Sequence, residues 1–211
     1  MTMAIKAVAW DIDGTLIDSE PLHHRALIAG TSHFGVDLAD VPEERFRGVH
    51  MRGVWQGLNG RLPAALTYED WLERIHDCYI AEAAGLRAIE GALEAIDAVA
   101  GMGLAQVCVS NSGRRVVDAN IAALGLGEKL RFSISVNDVA RGKPDPEPYL
   151  AAADRLGLRP AEVAAVEDSL TGAASARAAG MTVIGYGLAG EAIDHPLDRY
   201  ADLPAVLRPY L

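Results

Sequence analysis

Two aspartates one residue apart open the run Asp11-Ile12-Asp13-Gly14-Thr15, directly after the apolar stretch Ile5 to Trp10. If that stretch is a buried strand, its side chains alternate, so both carboxylates project the same way from its carboxyl end. Gly14 then permits a sharp turn. Carboxylates gathered after a buried strand are costly unless a proton or a cation accompanies them. The chemistry open to such a pair is that of a Mg²⁺ site with a nucleophilic oxygen and an acid/base beside it. A lone Asp-x-Asp-Gly is also compatible with a solvated turn, so the rest of the chain has to decide.

The elements that would position this pair can be read from the apolar pattern. Strands are predicted at Ala105–Val109, Phe132–Val136, Val163–Val166 and Met181–Gly185. Helices are predicted near Arg114–Leu124, at Glu147–Leu156 with Gly157 as its stop, and at Gly172–Ala179 with Gly180 as its stop. Short, nearly continuous apolar strands alternating with helices indicate an α/β fold, a Rossmann-like parallel sheet with helices on both faces. Ala173, Ala174, Ala176, Ala178 and Ala179 are expected to let their helix lie close to the sheet. In such sheets ligands bind beyond the carboxyl ends of the strands. Those ends carry Asp11 and Asp13, then Ser110 and Asn111, then (after a short loop) Lys143-Pro144-Asp145, then Glu167 and Asp168. One polar group there could be chance; four make a site.

Residues 18–88 break this rhythm. Helical patterns run over Pro21–Phe34 and Thr67–Ala84, the second with Tyr68, Trp71, Leu72, Ile75, Cys78 and Tyr79 on one face. This predicts a helical cap domain (18–88) inserted after strand 1 into an α/β core (1–17 and 89–211). At 211 residues, half of them hydrophobic, the chain can bury a real core, and no run approaches the ~20 apolar residues needed to cross a bilayer. The start lacks the pattern of a signal peptide, so a soluble, cytoplasmic protein is expected. Cys78 and Cys108 read as buried thiols. A net charge of −10 argues against nucleic acid or an anionic membrane as partner. Capture of an anionic substrate then has to come from local cations, and only Lys143 of three lysines lies in this context.

In order and spacing, Asp11-x-Asp13-Gly14-Thr15, Ser110-Asn111, Lys143-Pro144-Asp145 and Glu167-Asp168 resemble the four motifs of the haloacid-dehalogenase-like hydrolase superfamily, in the branch with a helical cap after strand 1. The resemblance spans essentially the whole chain. It implies that Asp11 is the nucleophile, forming an aspartyl-phosphate, and that Asp13 protonates the leaving alcohol and then activates water. It implies Mg²⁺ held by Asp11, the main-chain carbonyl of Asp13, Asp168, and Glu167 directly or through water. Ser110 and Asn111 would bind phosphoryl oxygens, although the same pair could be a helix N-cap, and Lys143 would neutralise both Asp11 and the phosphoryl charge. The family's cap is expected to open for exchange and to shut over the substrate, with hinges near Asp18–Glu20 and Arg87–Gly91.

The implied activity is a Mg²⁺-dependent phosphatase acting on a small phosphorylated metabolite, a sugar phosphate or a related polyol or acid phosphate, in a protein expected to be a monomer. Within the insert, His23, Arg47 and Arg52 are candidate substrate contacts, the arginines belonging to a basic cluster with Arg45 and His50. Each also reads as an ordinary polar residue on a helix surface. A haloacid dehalogenase would not need the metal carboxylates, and a phosphonatase needs a cap lysine that residues 18–90 lack. β-Phosphoglucomutase is the alternative: it shares the Asp pair and a histidine at the place of His23. Its cap arginine falls on Met51 here, its cap lysine on Arg47, and Asn111-Ser112-Gly113 replaces its Ala-Ser-Lys-Asn. A catalytically silent binding or regulatory relative is a further alternative, though it would be expected to have lost one of these residues.

Overall fold

Strands β1 (Ala7–Trp10), β2 (Ala105–Val109), β3 (Ser133–Ile134), β4 (Val163–Glu167), β5 (Thr182–Tyr186) and β6 (His195–Leu197) form one sheet in the order β3-β2-β1-β4-β5-β6. Every pairing is parallel. These are features of a computed structural model that describes residues 4–38, 41–42, 45–46 and 51–211. The central strand β1 is buried along its whole length, as its unbroken apolar sequence requires. Trp10 pairs with both Cys108 and Val166. One residue further along, Asp11 is therefore flanked by the ends of β2 and β4, and its N–H continues the ladder to the Val166 carbonyl at 3.0 Å.

Helices cover both faces. On one, α6 (Glu147–Leu156) and α7 (Leu170–Ala179) pack Tyr149, Ala152, Ala173 and Ala176 against Ala7, Ala9, Val107 and Ala165. On the other, Gln106 reaches from the sheet to α4 (Ala92–Gly101): its Nε2 donates to the Ile96 carbonyl and its Oε1 accepts from the Trp10 indole, both at 3.0 Å. Helix α5 (Arg114–Ala123) follows β2, and α8 (Leu203–Leu207) packs against α4 near the C-terminus.

Three sequence expectations need correction. The strand expected over Phe132–Val136 is reduced to Ser133–Ile134. Ser135 and Asp138 cap each other there, the Asp138 carboxylate accepting from Ser135 N–H and Oγ–H at 2.7 Å, and this turns the chain into a 3₁₀ segment, Val136–Asp138. Strand β6 lies outside the strands read from the sequence; at the sheet edge the N–H that Pro196 lacks costs no ladder bond. Helix α7 begins at Leu170, capped by Ser169, whose Oγ accepts from Gly172 N–H at 3.1 Å. Ala173, Ala176 and Ala179 face the sheet, whereas Ala174 and Ala178 are exposed.

The chain divides into two compact units, Met1–Asp18 with Arg87–Leu211, and Ser19–Leu86. The second is built on α1 (Glu20–Ser32), α2 (Met51–Gly57) and α3 (Tyr68–Glu82). Helices α1 and α3 approach closely because Gly30 faces Ile75; a Cβ at Gly30 would lie 2.6 Å from Ile75 Cγ1 and 2.9 Å from its Cα. Trp71, Ile75 and Tyr79 are the buried side of α3, while Tyr68, Leu72 and Cys78 are half-buried flanks. The Trp71 indole N–H donates to Thr31 Oγ1 at 3.0 Å. Among the described residues no helix is long and apolar enough to cross a membrane.

Candidate active site

The site lies at the carboxyl ends of β1, β2 and β4, within the α/β unit. Its centre is Lys143, delivered by the loop before α6 and buried. Its three ammonium hydrogens match three acceptors: Asp11 Oδ1 at 2.7 Å, the Val109 carbonyl at 2.8 Å and Glu167 Oε1 at 2.5 Å. Burial alone would favour the neutral amine, but the Asp11 and Glu167 carboxylates outweigh it and raise the lysine pKa. The main chain at Lys143 is fixed from β2: its N–H donates to Asn111 Oδ1 at 2.8 Å, and its carbonyl accepts from Asn111 Nδ2 at 3.0 Å. Asn111 therefore holds the lysine loop. Gly142 is needed there, since a Cβ would stand 2.7 Å from the Asn111 oxygen.

Glu167, at the end of β4, is fully buried. Its Oε1 accepts from Lys143 and from the Tyr149 hydroxyl on α6, and its Oε2 accepts from Ser169 Oγ at 3.3 Å. The helix that follows can sit over this carboxylate only because residue 172 is glycine: a Cβ there would fall 2.0 Å from Oε2. Asp168 accepts from Thr15 Oγ1 at 3.1 Å. Its other oxygen would stand 2.1 Å from a Cβ at Gly14, whose φ of +83° also suits glycine. Thr15 is braced in turn by the Tyr200 hydroxyl, which donates to its carbonyl at 2.6 Å.

Asp11, Glu167 and Asp168 each offer an oxygen, all within 4.8 Å of one another. Burial, above all, raises all three carboxyl pKa values: Asp11 upward, Glu167 to about 7 and Asp168 to about 6. Three carboxylates face one ammonium, so the cluster lacks positive charge. A hard, oxygen-liganded divalent ion fits that deficit.

Asp13 is placed differently. Its Oδ2 accepts from Ser112 Oγ at 2.8 Å and from Ser110 Oγ at 3.3 Å, and its Oδ1 accepts from Asn120 Nδ2 at 3.0 Å. Ser110, buried at the end of β2, also accepts from Ser112 N–H at 3.0 Å. Sequence reasoning did not single out Ser112, Asn120 or Tyr149. Ser112 follows Ser110-Asn111 directly, but Asn120 within α5 and Tyr149 in the first turn of α6 lie on helices, where only the fold shows what they face.

In the helical unit, the His23 ring packs at a tilt of 35° against Tyr79, ring centroids 4.5 Å apart. Arg52 lies over the Tyr68 ring, 4.1 Å from its centroid, with Glu69 at 3.8 Å. Arg47 and His50 lie outside the described residues.

The strand ends of this parallel α/β sheet thus carry a lysine-held aspartate and two further carboxylates, a group that could hold a divalent ion. The haloacid dehalogenase-like hydrolase family matches residues 5–180, and the chain belongs to that family, in its phosphatase branch. It is 31% identical over 186 residues to hexitol phosphatase A of Escherichia coli K12, covering 86% of this chain and 83% of the relative. It is 32% identical over 182 residues to N-acetylmuramic acid 6-phosphate phosphatase of Pseudomonas aeruginosa, covering 84% and 80%. The crystal structure of CbbY from Rhodobacter sphaeroides in complex with phosphate superposes with a TM-score of 0.82 at 25% identity, over 94% of this chain and 96% of that one.

Proposed function

We propose that the protein is a Mg²⁺-dependent phosphatase that hydrolyses a small phosphorylated carbohydrate through an aspartyl-phosphate on Asp11. The observation that carries this is the fixing of Asp11 Oδ1 2.7 Å from Lys143, with Asp168 and Glu167 able to share one ion with it. Asp11 and Asp168 would hold the Mg²⁺ directly, with the main-chain carbonyl of Asp13. Glu167, already accepting from Lys143, Tyr149 and Ser169, would act through the lysine or a bound water. Bound there, Mg²⁺ supplies charge neutralisation at the phosphoryl oxygens.

In the first half-reaction an Asp11 oxygen bonds to phosphorus while the ester P–O bond breaks, and Asp13 gives its proton to the departing alcohol. In the second, Asp13 takes a proton from water, whose oxygen bonds to phosphorus as the Asp11–phosphorus bond breaks. Lys143 keeps Asp11 ionised and aimed. Ser110 and the adjacent main-chain N–H groups would meet the remaining phosphoryl oxygens. Hydrolysis is preferred to the mutase alternative because the relatives quoted above are phosphatases by name.

The test is a panel of hexitol, hexose, amino-sugar and short-acid phosphates, read for free phosphate and for isomerised sugar phosphate. Release of phosphate that needs Mg²⁺ and disappears in Asp11→Asn is expected. Isomerisation without release would replace hydrolysis by the mutase reaction, and full turnover in Asp11→Asn would end the mechanism.

A further inference from the structure

Asn120 is a polar residue in an apolar position. The buried side of α5 consists of Val116, Val117 and Asn120, the three- and four-residue spacing at which a helix against a sheet carries hydrocarbon. Asn120 is completely buried, and its Nδ2 donates to Asp13 Oδ1 at 3.0 Å across 107 residues of sequence. A buried amide costs free energy unless it is hydrogen-bonded. Leucine, of similar size, would satisfy packing; what it cannot do is hold a carboxylate oxygen. The other oxygen of Asp13 is held at 2.8 Å by Ser112, from the loop between β2 and α5. Ser110 Oγ also reaches that oxygen, at 3.3 Å, so donors from the end of β2 and its loop on one oxygen and from α5 on the other fix both torsions of the Asp13 side chain.

We propose that Asn120, with Ser112, is a positioning residue for the acid/base: it sets the angle at which the Asp13 carboxyl meets the leaving oxygen and the attacking water. The inference rests on the role given to Asp13 above. Misplacing a proton donor by about 1 Å costs on the order of 10²-fold, and the loss falls on the step that needs the proton. An alkyl phosphate, whose alcohol leaves poorly as an alkoxide, depends on Asp13 to depart; p-nitrophenyl phosphate, whose phenolate leaves unprotonated, does not.

The experiment compares kcat/KM for the best alkyl ester of the panel with that for p-nitrophenyl phosphate, in Asn120→Leu, Ser112→Ala and Asp13→Asn, with thermal melts of each. Asn120→Leu is expected to lose roughly 10- to 100-fold on the alkyl ester and under about threefold on the aryl ester, with Tm unchanged or higher. Equal losses on both esters, or no loss, overturn the inference. If Asn120→Leu does not fold, Ser112→Ala is expected to show the same split, and its absence there overturns the inference equally. Asp13→Asn separates the two levels. If it shows the split and the supporting variants do not, only the positioning role fails; if it leaves alkyl turnover intact, the role of Asp13 itself fails.

Discussion

Polar side chains at the strand ends of the α/β unit and charged side chains in the helical unit are used in opposite ways. At the strand ends they are buried and interlocked over long stretches of chain: Lys143 joins Asp11, 132 residues away, to Glu167, and Asn120 joins α5 to Asp13. Among the described residues of the helical unit the ion pairs lie at the surface, as with Arg25 and Glu82 at 3.2 Å, and apolar and aromatic packing of α1 on α3 does the holding. Charge is buried at the strand ends of the one unit and, among the described residues, paired in water in the other. Substitutions in the two regions should therefore fail differently.

The sharpest contrast is Asp11→Asn. Turnover is expected to fall on the order of 10³-fold or more, while Tm holds or rises, because one of three clustered carboxylates, itself buried, has been neutralised. A matching loss of stability, read by thermal melts, would erase the distinction between the regions. Trp71→Ala should do the reverse within the helical unit, removing a fully buried indole for about 3–5 kcal/mol of that unit's stability. Denaturant titration with a probe in each unit tests it, and an α/β unit that unfolds in step would mean that the two are not separately stabilised.

Mg²⁺ should act on the α/β unit. At about 100 times its Kd it adds about 2.7 kcal/mol to that unit's stability, and the gain should shrink in Asp168→Asn; an equal gain in that variant places the ion elsewhere. The smallest effects concern ion pairs with at least one solvent-exposed partner. Side-chain hydrogen bonds from Arg159 (Nε, 3.1 Å) and Lys6 (2.7 Å) hold the Glu162 carboxyl down at about 2, against 4.5 ordinarily. The folded chain thus takes up this proton later than the unfolded chain. Its contribution is complete above about pH 4.5 and disappears as pH falls toward 2, so Glu162→Gln should flatten that limb of the stability curve. Arg25→Ala, which breaks an exposed pair in the helical unit, should change stability by less than about 1 kcal/mol at any pH.

How much could be read beforehand depended on the range of the cause. Elements with dense local signals came through: β2 and α6 match their expected bounds, and Gly157 and Gly180 stop their helices in the left-handed conformation. Signals that depend on neighbours did not. The turn at Ser135 and the edge position that tolerates Pro196 are set by hydrogen bonds and sheet order. Arg52, a candidate for the substrate, is found on Tyr68 and Glu69, partners that no spacing rule picks out.

From the sequence alone came the parallel α/β architecture and the roster of strand-end groups, because apolar periodicity and chain reversals are local and ligands collect where parallel strands end. Only the tertiary structure decided how that roster divides. Asn111 grips the lysine loop, Glu167 accepts from Lys143, Tyr149 and Ser169, Asp168 stands beside Gly14, and Asp13 is turned to a buried amide on α5. The reason is physical: a carboxylate takes its role from the donors packed around it, and those donors arrive from segments whose separation along the chain carries no record of their meeting.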